Sequence, residues 1–168
     1  MEHSVDEAKV GKALAWIVGV LDRHGVPYRV VGGLAARAYG ATRPIFDIDL
    51  YVPFDQAREA LEEISPHVVW GPGHHADEEW NLTFLKADSG GQRVELGDSS
   101  GDPRFSDRET GRWVAQRIDY AAGVRAELLG VRAWVMPEAD LVRYKLLLGR
   151  EVDLEDVGGI LGRRGPGD

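Results

Sequence analysis

Val30-Val31-Gly32-Gly33-Leu34-Ala35 and, after a spacer, Phe46-Asp47-Ile48-Asp49-Leu50 decide how this chain is read. Tyr28 to Val31 is a short apolar run and reads as a buried strand, with Gly32-Gly33 at its end. Leu34 to Tyr39 reads as a short helix closed by Gly40. From Ile45 to Val52 the pattern has period two, Phe46, Ile48, Leu50 and Val52 against Asp47, Asp49 and Tyr51, which predicts a strand. Alternate residues of a strand share a face. Asp47 and Asp49 therefore project together, while Phe46, Ile48 and Leu50 are expected to face the core. Two carboxylates this close repel unless solvated or neutralised by a cation. Oxygen donors of this kind suit Mg²⁺ or Mn²⁺. A glycine pair between strand and helix leaves bare backbone N–H groups that can receive a phosphate.

Outward from this centre, residues 5–23 have helical spacing at Ala8, Leu14, Ile17, Val18 and Leu21, with Ser4 and Glu7 as a capping box. Asp55 is expected to cap a helix running through Ile64. Residues 67–70 read as a brief strand and 71–79 as a loop. Trp80–Ala87 and Gln92–Leu96 read as strands of a hairpin turned by Asp88-Ser89-Gly90-Gly91. Residues 97–111, rich in Gly, Asp, Ser and Arg, read as an exposed loop. Val124–Leu129 and Val131–Met136 read as two strands about Gly130. Pro137 opens a helix through Leu148, and Asp153 caps a last one to Leu161, with Asp156 in the same capping role. The fold class expected is α+β, an α/β mixed sheet, in one domain over residues 1–163 with a flexible tail at 164–168.

The 168-residue length fits one domain at roughly 100–200 residues each. With 43% apolar and 29% charged residues, a disordered chain, a collagen and a coiled coil are excluded. The absence of cysteine excludes a disulfide framework, a thiolate nucleophile and Cys-ligated zinc. A net charge of −8 disfavours nonspecific binding to nucleic acid, which depends on phosphate neutralisation by Lys and Arg. It favours a cationic small molecule over tRNA as a partner, though a local basic groove would serve for tRNA. No secretory signal and no apolar run near the ~20 residues of a membrane helix are visible, so a cytoplasmic, membrane-free protein is expected.

A glycine pair for phosphate and an Asp-x-Asp strand for metal, 13 residues apart, compose a site for a nucleoside triphosphate. The arrangement resembles the DNA polymerase beta-like nucleotidyltransferase superfamily. Its signature, Gly-(Gly/Ser), a spacer and Asp-h-(Asp/Glu)-h, is matched here with a spacer at the long end. That family carries a third carboxylate between apolar residues on a later strand, which Val94-Glu95-Leu96 fits, with Glu where Asp is commoner. Gly33 to Pro44 and Met136-Pro-Glu-Ala-Asp-Leu-Val-Arg-Tyr-Lys145-Leu, with Arg150 and Asp153-Leu-Glu-Asp156, resemble small bacterial members related to abortive-infection toxins. The likeness covers residues 20–163 except 60–80 and 97–125.

The resemblance implies transfer of a nucleoside monophosphate from an NTP to an acceptor, with release of pyrophosphate. It assigns Asp47, Asp49 and Glu95 to catalysis and to Mg²⁺ or Mn²⁺, and Gly32, Gly33, Arg43 and Lys145 to the nucleotide. Several alternatives stay open. Asp98 rivals Glu95, which is favoured because Val94 and Leu96 face the core. Arg43 binds phosphate or pairs with an acid, and Lys145 contacts the triphosphate or snorkels from a buried stripe. The acceptor is a small molecule, tRNA or a protein. A non-catalytic nucleotide- or partner-binding member, such as half of a toxin–antitoxin pair, is the alternative function, and a sugar-nucleotide transferase built on Asp47-Ile48-Asp49 is a further one. Trp16, Trp70, Trp80, Trp113 and Trp134 supply aromatic area for a core, a protein partner or a homo-oligomer interface. Gly71-Pro-Gly-His-His-Ala76 formally fits a dinucleotide fingerprint, but no helix of useful length follows it. His74 and His75 read as exposed loop residues. Ser99 and Ser100 lack the elbow of a nucleophilic serine.

Overall fold

The computed structural model describes residues 6–163; Ser4 and the tail at 164–168 lie outside them. In chain order the elements are α1 (Glu7–Arg23), β1 (Arg29–Val31), α2 (Gly32–Ala38), β2 (Asp47–Val52), α3 (Arg58–Ile64), β3 (Val68–Ala76), β4 (Trp80–Ser89) and β5 (Gln92–Asp98). There follow β6 (Arg104–Ser106), β7 (Trp113–Ala115), β8 (Val124–Leu128), β9 (Val131–Val135), α4 (Glu138–Leu148) and α5 (Glu151–Gly162). The described strands form one mixed sheet, ordered β7-β6-β4-β5-β2-β1-β9-β8, with β3 on the other edge of β4. β2 runs parallel to β5 and antiparallel to β1. The expected α/β mixed sheet is what the chain forms. No helix among the described residues is long and apolar enough to cross a membrane.

Period two sorts the central strands into two faces. Val30, Ile48, Leu50, Val94, Leu96, Leu85 and Ala87 are buried in one core with Val10, Leu14, Ile17 and Leu21 of α1. Full burial of each large aliphatic side chain contributes roughly 1.5–3 kcal/mol. The cap of α1 is Asp6 rather than the expected box of Ser4 and Glu7: its carboxylate accepts from the Lys9 N–H at 3.2 Å. The opposite face of the same strands carries Asp49, Tyr51, Glu95 and Gly97, roofed by α4.

Several expectations are corrected. Phe46 is 65% exposed rather than in the core, because β2 begins only at Asp47. Its carbonyl is held by the Gln92 side-chain amide at 2.8 Å while the ring leaves the end of the sheet. Asp55 does not cap a helix: a 3-10 turn over Phe54–Gln56 intervenes, and α3 begins at Arg58 with no side-chain cap. That turn is set by the Phe54 N–H donating to Asp98 at 3.0 Å. Residues 68–76 form one long strand instead of a brief strand and a loop. Within the expected loop at 97–111, β5 continues to Asp98 and Arg104–Ser106 adds a strand between β4 and β7. Phe105 makes this possible: it is fully buried, stacked on Tyr144 at 4.8 Å between ring centroids. Asp153 does not start α5 as expected but lies in its first turn, where its carboxylate accepts from the N–H of the capping residue Arg150 at 3.2 Å; Asp156 is buried and caps nothing.

Candidate active site

The strand register arranges the site in rows across the sheet. Asp49 of β2 lies opposite Val31 of β1 on one side and Glu95 of β5 on the other, and Glu95 lies opposite Lys86 of β4. The next row is Tyr51, Gly97 and Phe84, and the row before it is Asp47, Arg93 and Asp88. A Cβ at Gly97 would come within 2.8 Å of the Tyr51 ring, so the absence of a side chain gives that ring its space. Asp47, Asp49, Tyr51, Glu95 and Gly97 of these rows floor a cavity of about 530 Å³, lined also by Gly32 and by Tyr144, Lys145 and Arg150 of the helical side.

Gly32 has φ +67, a region that L side chains enter only with strain, and a Cβ there would lie 2.6 Å from Asp49 Oδ2. The glycine thus turns strand into helix and lets the Asp49 carboxylate lie against the backbone. Asp49 is pushed up to about 8 by its withdrawal from water, then by Glu95 and Asp47; Glu95 is within hydrogen-bonding reach of it and Lys145 opposes the shift. Near neutral pH this keeps a proton on the Asp49 carboxyl. Burial also raises Tyr51 and Tyr144, whose hydroxyls are hydrogen-bonded to each other.

Asp47, Asp49, Glu95, Gly32 and Lys145 all line this cavity; Gly33 and Arg43 do not. Arg43 is drawn away by Asp156, to which it donates from Nε at 3.0 Å and from a terminal nitrogen at 2.8 Å. Its guanidinium covers Gly33, where a Cβ would meet it at 2.8 Å. Lys145 is buried and donates to Asp156 at 2.9 Å, with Asp153 at 3.5 Å. Burial pushes the Asp156 carboxyl up, but the hydrogen bonds from Arg43 and Lys145 outweigh it and hold it below the usual range. Asp156 therefore ties the α2 end of the site to its α4 side. Asp98 is turned outward to the Phe54 N–H and to Ser100, and only Glu95 of the two rivals lines the cavity.

Asp49 is pulled from water with Glu95 in hydrogen-bonding reach and Asp47 adding negative charge, and the carboxylate oxygens are hard ligands. Asp47 shares their face but is exposed. Among the described residues no three acidic or histidine side chains are gathered closely enough to hold a metal as they stand. The carboxylates of Asp47, Asp49 and Glu95 fit a cation in charge and donor chemistry.

One wall of the cavity escaped the sequence reading. Trp80, Leu82, Phe84 and Lys86 of β4 are two apart and share the pocket face, joined by Trp70 and His75 of β3. The alternation along β4 is visible in the sequence, but its facing the Asp pair depends on pairing between distant strands. His74 is exposed as expected, whereas His75 lines the cavity and bonds Asp77 at 2.8 Å.

Floor, glycine turn and helical roof together have the build of a nucleotidyltransferase-like fold. Solved structures of that class superpose on most of the chain. A presumed nucleotidyltransferase from Thermotoga maritima is 23% identical, with a TM-score of 0.70 over 96% of this chain and 98% of that one. The lincosamide antibiotic adenylyltransferase LnuA, solved with lincomycin bound, is 12% identical, with a TM-score of 0.58 over 95% of this chain and 99% of its own. The antibiotic-resistance protein ANT(2″)-Ia, solved with adenylyl-2″-tobramycin, is 17% identical, with a TM-score of 0.57 over 92% and 89%. At these identities the likeness is one of fold. No protein-family model and no curated protein matches the sequence.

Proposed function

We propose that this protein is a metal-dependent nucleotidyltransferase that moves a nucleoside monophosphate from an NTP to an acceptor hydroxyl. The observation that carries the reading is the pair of facing carboxylates, Asp49 and Glu95, sunk in a cavity of about 530 Å³ beside Gly32 and Lys145. The nucleotidyltransferases of similar fold support it. In the reaction the acceptor oxygen bonds the α-phosphorus, the bond to pyrophosphate breaks, and the hydroxyl proton passes to a carboxylate. Asp47, Asp49 and Glu95 would hold Mg²⁺ or Mn²⁺, which supplies charge neutralisation and a lower pKa for the bound hydroxyl. Lys145, fixed by Asp153 and Asp156, offers a positioned cation to the phosphates. Glu95 or Asp49 receives the proton. Arg43 acts on the nucleotide only indirectly, by bracing Gly33 and Asp156. The chain's contribution is positioning and electrostatics.

The test uses the four α-phosphate-labelled NTPs with Mg²⁺ or Mn²⁺, wild type and Asp49→Ala, and total RNA, cell protein or small alcohols as acceptors. Label on an acceptor with wild type, and a loss of roughly 10³-fold in Asp49→Ala, is the expected result. Absence of metal-dependent NTP binding by the wild type would overturn the reading.

A further inference from the structure

The β3–β4 wall has a feature that regular pairing does not produce. Trp70 and His75 are five residues apart, so in an unbroken strand they would point to opposite faces. Both line the cavity. The register explains it: Trp70 lies opposite Lys86 and Gly73 opposite Phe84, which leaves one extra residue on β3 between the two pairs. At this bulge Gly71 takes φ +82, and a Cβ there would lie 2.7 Å from the Phe84 carbonyl oxygen. The bulge re-aims Trp70 onto the pocket side, as bulges beside sites do. Its ring lies 4.7 Å from that of Phe84 and runs over Gly73, where a Cβ would come 3.2 Å from the indole. Even so packed, Trp70 stays 41% exposed. A flat, held and open aromatic face therefore lines the same cavity as the carboxylates, beyond Lys86.

Its place relative to the reaction follows from the rows. Gly32 is at one end of the row Val31, Asp49, Glu95, Lys86, and the wall is at the other. In phosphoryl transfer the attacking and leaving oxygens are roughly in line. With the phosphates at Gly32 and Lys145, the acceptor arrives across Glu95 from the wall, whose β4 lies two strands or about 10 Å from Asp49 and whose Trp70 on β3 lies one strand further, at about 14 Å. Lys86 is a cation of this wall, its Nζ 5.8 Å from the Phe84 ring centroid, and it forms no ion pair among the described residues, whereas Arg150, over the Trp80 ring, is paired with Asp153. His75 is engaged with Asp77. Once Asp47, Asp49 and Glu95 are committed to the metal, the wall offers a stacking surface and a positive charge, which repels a polycationic acceptor.

We infer that Trp70, with Phe84 and Lys86, is the acceptor subsite, and that it selects a neutral or anionic acceptor with a flat ring near its hydroxyl, the chemistry of a nucleoside or nucleotide. The inference rests on the nucleotidyltransferase reading. A cavity of about 530 Å³ and a net charge of −8 favour a free nucleotide over a long nucleic acid.

The experiment loads the protein with Mg²⁺ and saturating α,β-methylene-ATP, which occupies the donor site without turnover. Adenosine, AMP, a trinucleotide with a free 3′-hydroxyl and an aminocyclitol are then titrated by calorimetry. Adenosine and AMP are expected to bind, AMP more tightly. Trp70→Ala weakens both about tenfold, the scale of one base–aromatic stack, and Trp70→Phe recovers most of the loss. Lys86→Gln removes only the preference for AMP over adenosine. Tighter binding of the trinucleotide than of AMP supports the wall and assigns its ligand to a nucleic-acid end. Binding of the aminocyclitol in place of AMP, or unchanged AMP affinity in Trp70→Ala and Lys86→Gln, overturns the inference. Binding of α,β-methylene-ATP itself is measured first: its failure strikes the nucleotidyltransferase reading, while its retention in Trp70→Ala confines any failure to the acceptor subsite.

Discussion

The floor and the wall of the cavity are both β-sheet, yet they are built on different terms. The floor, Asp47, Asp49 and Glu95 on β2 and β5, follows period two without interruption, and its side chains repel one another. The wall, Trp70, Trp80, Phe84 and Lys86, breaks that period at a bulge, and its rings pack on one another. The floor thus stores an unfavourable charge arrangement on a regular scaffold, and the wall places favourable contacts on an irregular one. Repelling charges on one side of a cavity and packed rings on the other are the division expected of a site that needs a ligand to complete it.

The sharpest probe of the difference is pH. Asp49 titrates near 8 in the folded chain against an ordinary 3.8. Between those values the folded state keeps a proton that the unfolded state has lost, so stability falls as pH rises through this window. Asp49→Asn has no such proton. The variant is expected to be more stable than wild type at pH 8, by an amount on the order of a few kcal/mol, with the gap closing toward pH 4. Thermal melts at four pH values measure it. Mg²⁺ should raise the wild-type melting temperature most at pH 8, where the ligands are most readily ionised, and leave Asp49→Asn nearly unmoved. Parallel melting curves for the two proteins across pH would mean that Asp49 is not held short of charge, and the contrast with the wall would vanish.

The regularity of the floor is also why it was legible. Alternation from Ile48 to Val52 and about Glu95 is local, and each residue's face follows from its neighbours. Gly32-Gly33 marks a strand-to-helix turn in the same local way. Arg43, Lys145 and Asp156 could be singled out but not assigned, because a buried ion pair depends on which helices meet. Asp156 sits 113 residues from Arg43 in the chain. The wall was hidden for a further reason. Gly71-Pro72-Gly73 carries the usual marks of a loop, whereas here it is the bulge of a strand whose two ends are both paired with β4. Residues 97–111 misled similarly: their composition is that of a loop, and one buried ring, Phe105, is enough to make part of them a strand.

A second test separates backbone strain from its consequence at the site. Gly32 and Gly25 both have positive φ, +67 and +66, but a Cβ at Gly25 would meet nothing within 4 Å. Alanine at either position is expected to cost about 1–2 kcal/mol of stability from the left-handed backbone alone. At Gly32 the added methyl also meets Asp49 Oδ2, the end of a side chain that can rotate away. Gly32→Ala should therefore lose metal-dependent NTP binding while Gly25→Ala keeps it at equal stability loss. Equal retention in both would detach Gly32 from the floor.

The smallest effect is expected at Phe46, and it tests where the regular pattern stops. Alternation assigns this residue to the core with Ile48 and Leu50; it is instead 65% exposed, and only its backbone carbonyl is engaged, by Gln92. Phe46→Ser should change unfolding free energy by no more than about 0.5 kcal/mol, as exposed substitutions do, where Ile48→Ala should lose about 2–5 kcal/mol. Chemical denaturation of the two variants makes the comparison. A loss at Phe46 approaching that at Ile48 would show the ring covered in solution and the regular floor extending one residue further than Asp47. A neutral result fixes the edge of the floor at Asp47, which then stands as an exposed carboxylate at the strand end.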